Sequence, residues 1–75
     1  MQPIHIADIE RNKTEIIRIE ISEFKDKKLL NIRTWYLNDN GEYAPTKKGI
    51  SLNIDKFNAL KEAILKAEQA INDLI

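Results

Sequence analysis

The stretch Lys47–Leu60, KKGISLNIDKFNAL, decides the fold predicted for this 75-residue chain. Before it, apolar residues recur at every second position, which is the period of a half-buried strand. After it, they recur every three or four positions, as in an amphipathic helix. Within it, Asn53 is a favourable helix N-cap, so a helix is predicted from about Ile54 to near the C-terminus. Strands followed by one helix, with no strand–helix alternation, predict an α+β domain whose antiparallel sheet is packed on one side by the helix.

The segments before this stretch show the apolar alternation of a strand to different degrees. Residues 1–14 carry isoleucines broken by polar residues and are predicted to form an N-terminal arm or a first strand, ahead of a single domain over residues 15–75. Glu15–Ser22 alternates isoleucines with polar residues and is predicted to be a half-buried strand. Leu29–Leu37 is the next predicted strand. Both of its faces carry apolar or aromatic side chains, so we expect one face to meet the core and the other a partner or ligand.

Turn residues divide the segment that follows. Asn38–Gly41 is predicted to be a tight hairpin, because Asn-Gly supplies the positive φ values that such a turn needs. Glu42–Thr46 is predicted to return as a short strand, which Pro45 restricts to an edge or a bulge. Gly49 separates this segment from a last apolar strand, Ile50–Leu52.

The predicted helix carries a narrow apolar seam. Its members are spaced alternately by three and four residues, as in a coiled coil: Phe57, Leu60, Ile64, Ala67, Ile71 and Leu74. A helix of about 20 residues is roughly 30 Å long, whereas a four-stranded sheet with strands about 4.8 Å apart is narrower. We therefore expect the far end of the helix to extend past the sheet and meet a second copy. The alternative is that the seam packs on its own sheet alone.

Composition excludes several classes of protein. A chain this short buries only about 60% of its unfolded surface and is marginal as a monomer. It has no cysteine and one histidine, which excludes disulfides and leaves too few ligands for zinc, so oligomerisation is the expected source of additional stability. No enzyme motif, cofactor site or small-molecule site is present, and His5 is expected to be a surface residue. No apolar run approaches a membrane span, so an intracellular protein is expected: in the cytoplasm or nucleoid of a bacterium or phage host, or in a eukaryotic nucleus.

Positive charge is concentrated in the middle of a chain whose net charge is zero. Residues 25–49 carry six basic and three acidic side chains. Aromatic rings lie among these cations, a pattern that favours single-stranded nucleic acid, because unpaired bases stack on aromatic rings while cations follow the phosphates. The candidate binding residues are Phe24, Lys25, Lys27, Lys28, Arg33, Trp35, Tyr36, Lys47 and Lys48. The alternative is that the rings belong to the core and the lysines to solvated loops.

The run from Glu20 to Ile64, EISEFKDKKLLNIRTWYLNDNGEYAPTKKGISLNIDKFNALKEAI, resembles the C-terminal domain of the positive cofactor 4 family of transcriptional coactivators. The shared landmarks are F-K-x-K after a strand, I-R-x-aromatic-aromatic, a Gly-Glu turn, K-G-I-S-L, and N-x-x-x-aromatic-x-x-L-K at the start of the helix. The resemblance implies four antiparallel strands and one long C-terminal helix. It also implies a homodimer whose helices pack together and whose sheets form channels that bind single-stranded DNA.

The resemblance also implies roles for individual residues. Phe24 and Tyr36 would stack on bases, and the cations at the matching positions would meet phosphates: Lys25, Lys27, Arg33, Lys47 and Lys48. This chain departs from the family at some positions. Trp35-Tyr36 stands where the human member has Tyr-Trp, and Ala44 stands where a basic residue is usual. The Ser- and Lys-rich regulatory N-terminus of the eukaryotic coactivators has no counterpart here, which is typical of a compact bacterial or phage-like version.

The expected function is non-sequence-specific binding of single-stranded DNA by a homodimer, in support of transcription or of DNA replication, recombination or repair. The expected partners are single-stranded DNA, a second copy of the chain, and transcription or replication proteins. The alternative is a protein-interaction adaptor, a coactivator that acts through its helix and sheet without binding nucleic acid.

Overall fold

A computed structural model describes all residues from Met1 to Ile75. Four strands form one antiparallel sheet in which each strand pairs with the next along the chain. A single turn of 3-10 helix, Ile54–Lys56, then leads into the only α-helix. The elements are β1 (Ile4–Glu10), β2 (Glu15–Phe24), β3 (Lys27–Leu37), β4 (Tyr43–Asn53) and α1 (Phe57–Leu74). The predicted architecture of four antiparallel strands followed by one long helix is confirmed.

β1 pairs with β2 through a bulge at Ile6, where the register shifts between His5 and Ala7. Before the bulge Ile4 lies opposite Ile21, and after it Ile9 lies opposite Ile17. A bulge places one extra residue in a strand and therefore breaks the alternation of faces. This explains why the isoleucines of β1 do not follow a period of two.

The tight hairpin lies at a different place from the one predicted. Lys25 and Asp26 join β2 to β3 with φ values of 51° and 65°, the signature of a two-residue type I′ turn. At the predicted position, Asn38–Glu42 forms a longer loop in which Gly41 alone has positive φ, at 79°. The Asn38 side chain closes this loop, because its Oδ1 accepts hydrogen bonds from the backbone N–H groups of residues 40 and 42. Hydrogen bonds to the Asn38 side chain thus stabilise this loop, in place of the tight Asn-Gly turn that was predicted.

β4 is one bulged strand and not the two short strands predicted. Arg33 lies opposite Gly49 and Trp35 opposite Pro45, so the three residues Thr46–Lys48 lie opposite Thr34 alone. β4 is an edge strand, which satisfies the restriction that proline imposes. A Cβ atom added to Gly49 would lie 2.5 Å from the Ile32 carbonyl oxygen. Gly49 therefore allows two backbones to approach closely and does not end a strand.

The α-helix begins three residues later than predicted. Asn53 makes no side-chain capping hydrogen bond, contrary to the prediction. It is still paired with Leu29 as the last residue of β4, so the chain needs the 3-10 turn to leave the sheet before α1 can begin.

The helix contacts one side of the sheet through its N-terminal part and extends past the sheet, as expected. Only the first turns of α1 face the sheet, where Phe57, Leu60 and Ile64 share an apolar groove with strand residues. Only Ile16 and Thr34 are buried in the whole chain. The radius of gyration is 14.3 Å, whereas a compact chain of this length would have about 11 Å. The single chain is thus an open arrangement of sheet and helix that leaves apolar surface uncovered. No helix in it combines the length and apolar character that crossing a membrane requires.

Candidate nucleic-acid interface

The sheet has two chemically different faces. Residues paired across antiparallel strands lie on the same face, so the register assigns each side chain. One face is apolar and includes Ile19 opposite Ile32 and Ile21 opposite Leu30; we call it the groove face, because these residues line the groove beside α1. The other, the polar face, carries Asp8, Arg18, Ser22, Asn31, Arg33 and Ser51.

The predicted binding residues are divided between these faces. The pairing of β2 with β3 places Phe24, Lys27, Arg33 and Trp35 on the polar face. Strand alternation places Lys28 and Tyr36 on the groove side. The remaining three candidates are not in regular strand positions, because Lys25 lies in the type I′ turn and Lys47 and Lys48 lie in the β4 bulge.

The β2–β3 turn presents an aromatic ring together with cations. Phe24 is 62% exposed, and the Lys25 Nζ lies 5.4 Å from the centre of its ring. Lys25 adopts a left-handed conformation that costs a non-glycine residue roughly 1–2 kcal/mol. The turn closes after only two residues, so Phe24 and Lys27 are paired directly at its base. The result is an exposed ring flanked by lysines at one end of the polar face.

Arg33 is fixed against the β4 bulge. Its guanidinium donates hydrogen bonds to the Thr46 carbonyl oxygen at 3.0 Å and to the Ser51 Oγ at 3.3 Å. The Thr46 Oγ1 donates to the Thr34 carbonyl oxygen at 2.7 Å and accepts from the Lys48 backbone N–H at 3.1 Å. A guanidinium has five N–H donors, so these two bonds leave donors for a phosphate. The bulge thereby holds two exposed lysines beside an oriented arginine.

Hydrogen-bonded polar side chains cross the middle of the polar face. The Asn31 Nδ2 donates to the Ser22 Oγ at 2.8 Å on β2, and the Ser51 Oγ of β4 donates to the Asn31 Oδ1. Because Ser51 also accepts from Arg33, one chain of hydrogen bonds links three strands. These polar side chains are short and mutually oriented, so they make the middle of the polar face hydrophilic.

The three predicted aromatic contacts differ in exposure. Phe24 is 62% exposed and Tyr36 is 45% exposed, whereas Trp35 is half-buried. The Arg18 guanidinium carbon lies over the Trp35 ring, 4.5 Å from its centre, and 5.9 Å from the centre of the Tyr43 ring. A base on the polar face could therefore reach Phe24 directly, whereas Tyr36 is exposed on the groove side and Arg18 lies over the Trp35 ring.

Sequence reasoning missed Arg18 and Asp8 as members of this surface. The Arg18 Nε donates to the Asp8 Oδ1 at 2.9 Å and its Nη2 to the Asp8 Oδ2 at 3.1 Å. The hydrogen bond from Arg18 is the main reason that the pKa of Asp8 falls to about 2, and the same bond raises the pKa of Arg18. His5 also contacts Asp8, with its Nε2 2.9 Å from Oδ1. The alternation of Arg18 with isoleucines indicated its face, but nothing in the sequence indicated its partner.

No group of three or more potential ligand side chains is placed to hold a metal ion. The one concave apolar feature is the groove, with a volume of about 580 Å³. It is lined by Ile6, Ile19, Ile21, Leu30, Ile32, Ile54, Phe57, Leu60 and Ile64. The seam continues from it along α1 with exposed side chains, including Ile71 at 53% and Leu74 at 85%. The groove and the polar face lie on opposite sides of one sheet.

Comparison with known proteins identifies a family. Residues 11–63 match the family Transcriptional Coactivator p15 (PC4). KIWI, an RNA polymerase II transcriptional coactivator of Arabidopsis thaliana, is 34% identical over 71 residues, which are 95% of this chain and 62% of KIWI. The chain thus spans less than two thirds of that relative.

Solved structures share the fold. BPSL1147, a PC4 homologue from Burkholderia pseudomallei, superposes with a TM-score of 0.80 at 25% identity, over 85% of this chain and 86% of its own. The bacteriophage T5 homologue, implicated in recombination-dependent DNA replication, gives 0.71 at 26% identity over 99% and 89%. MoSub1, solved in complex with DNA, gives 0.65 at 33% identity over 89% and 82%.

The family match covers all of β2, β3 and β4 and the first turns of α1. These elements carry the sequence motifs on which the resemblance was based, from F-K-x-K at the β2–β3 turn to the start of the helix. The chain therefore belongs to the PC4 family of transcriptional coactivators.

Proposed function

We propose that this protein binds single-stranded DNA, without sequence preference, as a homodimer. The observation that carries the proposal is that the exposed Phe24 ring and the oriented Arg33 guanidinium lie on the same face of the sheet. They are separated along the strand by about 20 Å, at about 3.3 Å per residue. An exposed ring and cations spread along one polar face are suited to an extended strand whose bases are unpaired.

The proposal of a homodimer rests on the uncovered groove and seam. A chain in which only two residues are buried has almost no core of its own. Exposed apolar areas of this kind mark an interaction surface. A second copy supplies a matching seam, since a two-fold interface uses the same surface on both partners. The seam residues proposed for this interface are Phe57, Leu60, Ile64, Ala67, Ile71 and Leu74. Association through the groove side leaves the polar face of each copy open.

The proposed role is non-catalytic and intracellular, in transactions of DNA. Its similarity to KIWI favours transcription, whereas similarity to the phage T5 protein favours replication and recombination. Similarity to MoSub1 supports DNA as the ligand. Proteins of the transcription or replication machinery are the proposed further partners.

Fluorescence anisotropy with labelled oligothymidine tests the proposal. We expect tighter binding to the single strand than to a duplex of equal length. We also expect the affinity to fall as salt rises, because cations on the protein displace counterions from phosphates. Lys48→Ala should weaken binding and flatten the salt dependence. Lys66→Ala removes the same charge from an exposed position on α1 and should change neither. Equal affinity for single strand and duplex would contradict the proposal.

The aromatic roles are tested separately. Phe24→Ala should weaken binding to oligothymidine without changing the salt dependence, because a ring stacks on a base and neutralises no phosphate. Tyr36 lies on the groove side of the sheet, so Tyr36→Ala tests whether the bound strand also passes over that side. If neither substitution changes the affinity, the stacking roles are wrong even if the protein binds DNA.

A protein-interaction adaptor is the second candidate, and the apolar groove favours it, since a partner's helix could occupy that groove. This candidate predicts no measurable affinity for nucleic acid at physiological salt, together with a monomeric chain in the absence of its partner. A dimer that binds oligothymidine would exclude it.

A further inference from the structure

Arg18 makes an unusual set of contacts at the centre of the sheet. Its guanidinium donates hydrogen bonds to both carboxylate oxygens of Asp8 and lies over the Trp35 ring, with the Tyr43 ring beside it. The side chain remains 20% exposed and the Asp8 side chain 30% exposed. We call Asp8, Arg18, Trp35 and Tyr43 the Arg18 cluster. It is formed by all four strands and lies on the polar face.

The cluster lies beside the proposed DNA path. Arg18 is paired directly with Arg33 across β2 and β3, so the two guanidinium groups start from adjacent positions on the same face. Their partners differ, however. Arg33 is held by a carbonyl and a hydroxyl oxygen and keeps its full charge. Arg18 is held by a carboxylate, so the Arg18 cluster carries no net charge.

This difference determines what each arginine can recognise. A phosphate is attracted to Arg33, but at Arg18 it would approach the Asp8 carboxylate as well, and like charges repel. A nucleobase is planar and uncharged, and bases stack on guanidinium planes as they do on aromatic rings. The Trp35 ring covers one side of the guanidinium, and the Tyr43 ring lies 5.9 Å from its carbon. The 20% of the side chain that remains exposed is what a planar ligand could contact.

We propose that Arg18 is a base-contacting residue, in which the guanidinium, oriented by Asp8 and supported by Trp35, stacks on a base of the bound single strand. This inference rests on the proposed function and deepens it. It assigns to Arg18 the contact that the sequence suggested for Trp35, and it makes Asp8 a positioning residue. The bound strand then crosses the face from Phe24 to the Arg18 cluster, and Arg33, directly opposite Arg18, holds a neighbouring phosphate.

A purely structural role is the competing explanation, because the ion pair also joins β1 to β2. The test must therefore separate base contact from stability and from charge. Oligothymidine and an abasic oligomer of equal length, which has the same phosphates and no bases, provide that separation. The dissociation constant for the abasic oligomer divided by that for oligothymidine measures the base-dependent part of the affinity. Changes in net charge affect both constants and cancel in this ratio.

Arg18→Lys keeps the charge and removes the planar group. We expect oligothymidine to bind about fivefold more weakly to this variant, a loss in the range of one stacked base, with the abasic oligomer unaffected and the salt dependence unchanged. Arg33→Lys is the matched control and should leave the ratio near that of the wild type. Thermal unfolding of each variant, with binding measured well below its midpoint, establishes that the comparison is made between folded proteins.

Asp8→Asn provides a second variant that keeps Arg18 itself. Removal of a carboxylate should strengthen the attraction of phosphates, so both oligomers should bind at least as tightly as before. The ratio should nevertheless fall, because Arg18 is no longer oriented. The fluorescence of Trp35, the only tryptophan, should respond to saturation with oligothymidine and not to the abasic oligomer.

Three results would overturn the inference. Arg18→Lys could bind oligothymidine as the wild type does, or it could lose equal affinity for both oligomers, which would indicate a phosphate contact. Alternatively, the ratio could remain unchanged in both Arg18→Lys and Asp8→Asn, which would leave only a structural role. A wild-type protein that binds no oligothymidine would overturn the proposed function first, and the two failures are thereby distinguishable.

Discussion

Replacement of Ile64 by alanine tests whether the seam of α1 joins two copies of the chain. Ile64 lies in the groove beside Phe57 and Leu60, and 54% of it is exposed in the single chain. The substitution removes about three carbon atoms, each worth about 0.8 kcal/mol when fully buried. Since about half of the side chain is already covered within the chain, association should contribute about 1.2 kcal/mol per copy from these atoms.

A symmetric dimer contains the substitution twice, so the expected loss is about 2.4 kcal/mol, or about 50-fold in the dimer dissociation constant. Sedimentation equilibrium over nanomolar to micromolar concentrations measures this constant. The unfolding midpoint of the wild-type chain should also rise with protein concentration, because association stabilises the folded state by mass action. Lys66→Ala, on the exposed side of the same helix, is the matched control and should leave the constant nearly unchanged.

A wild-type chain that sediments as a folded monomer at micromolar concentration would refute the reasoning. So would an Ile64→Ala variant that dimerises as tightly as the Lys66→Ala control, because the seam would then not be the contact surface.

Three further substitutions test single features of the structure. Phe24→Ala should weaken binding to oligothymidine by about 1–3 kcal/mol with no shift in unfolding temperature, since the ring is 62% exposed; a large shift would show that it stabilises the fold. Gly49→Ala should destabilise by at least about 2 kcal/mol, measured by denaturant unfolding, because backbone atoms occupy the space of the new Cβ; near-wild-type stability would contradict the observed register. Asp8, which contacts Arg18 and His5, has a pKa lowered to about 2, so its ion pair stabilises the fold above about pH 4 and is lost as pH falls through 2. Asp8→Asn should therefore cost at most about 1 kcal/mol near pH 7 and nothing below pH 2, and a cost that is independent of pH would refute this assignment.

Periodicity was sufficient to predict the order of strands and helix, because each segment shows its own repeat. It could not predict what the helix contacts. The seam from Phe57 to Leu74 shows which side of α1 is apolar, but an apolar stripe is equally suited to its own sheet and to another chain. The type I′ turn was missed for a different reason. Lys25 and Asp26 lack the glycine that usually supplies positive φ, so no local signal was present.

Residue types in the sequence indicated candidates for the binding site, but the sequence did not show which face of the sheet each candidate occupies. Side chains alternate between the two faces of β3, so Arg33 and Tyr36 lie on opposite sides because they are three residues apart. The pair of Asp8 and Arg18 was beyond sequence reasoning, because it depends on the bulge at Ile6. Without that extra residue, the register that places Ile4 opposite Ile21 would place Asp8 opposite Ile17. The carboxylate would then lie on the groove face, away from Arg18.

Register therefore determines both proposed surfaces at once. Residues of the groove and of the polar face alternate along the same strands, as Ile32 and Arg33 do. A slip by one residue would move the isoleucines to the DNA side and the cations into the dimer contact. Three local features prevent the slip: the two-residue turn at Lys25, the bulge of β4, and the backbone contact at Gly49. The stretch that begins at Lys47 contains part of two of them and then leads directly into the seam of α1. Binding and association are consequently set by the same pairing of β3 with β4, and a substitution that shifts this pairing should impair both together.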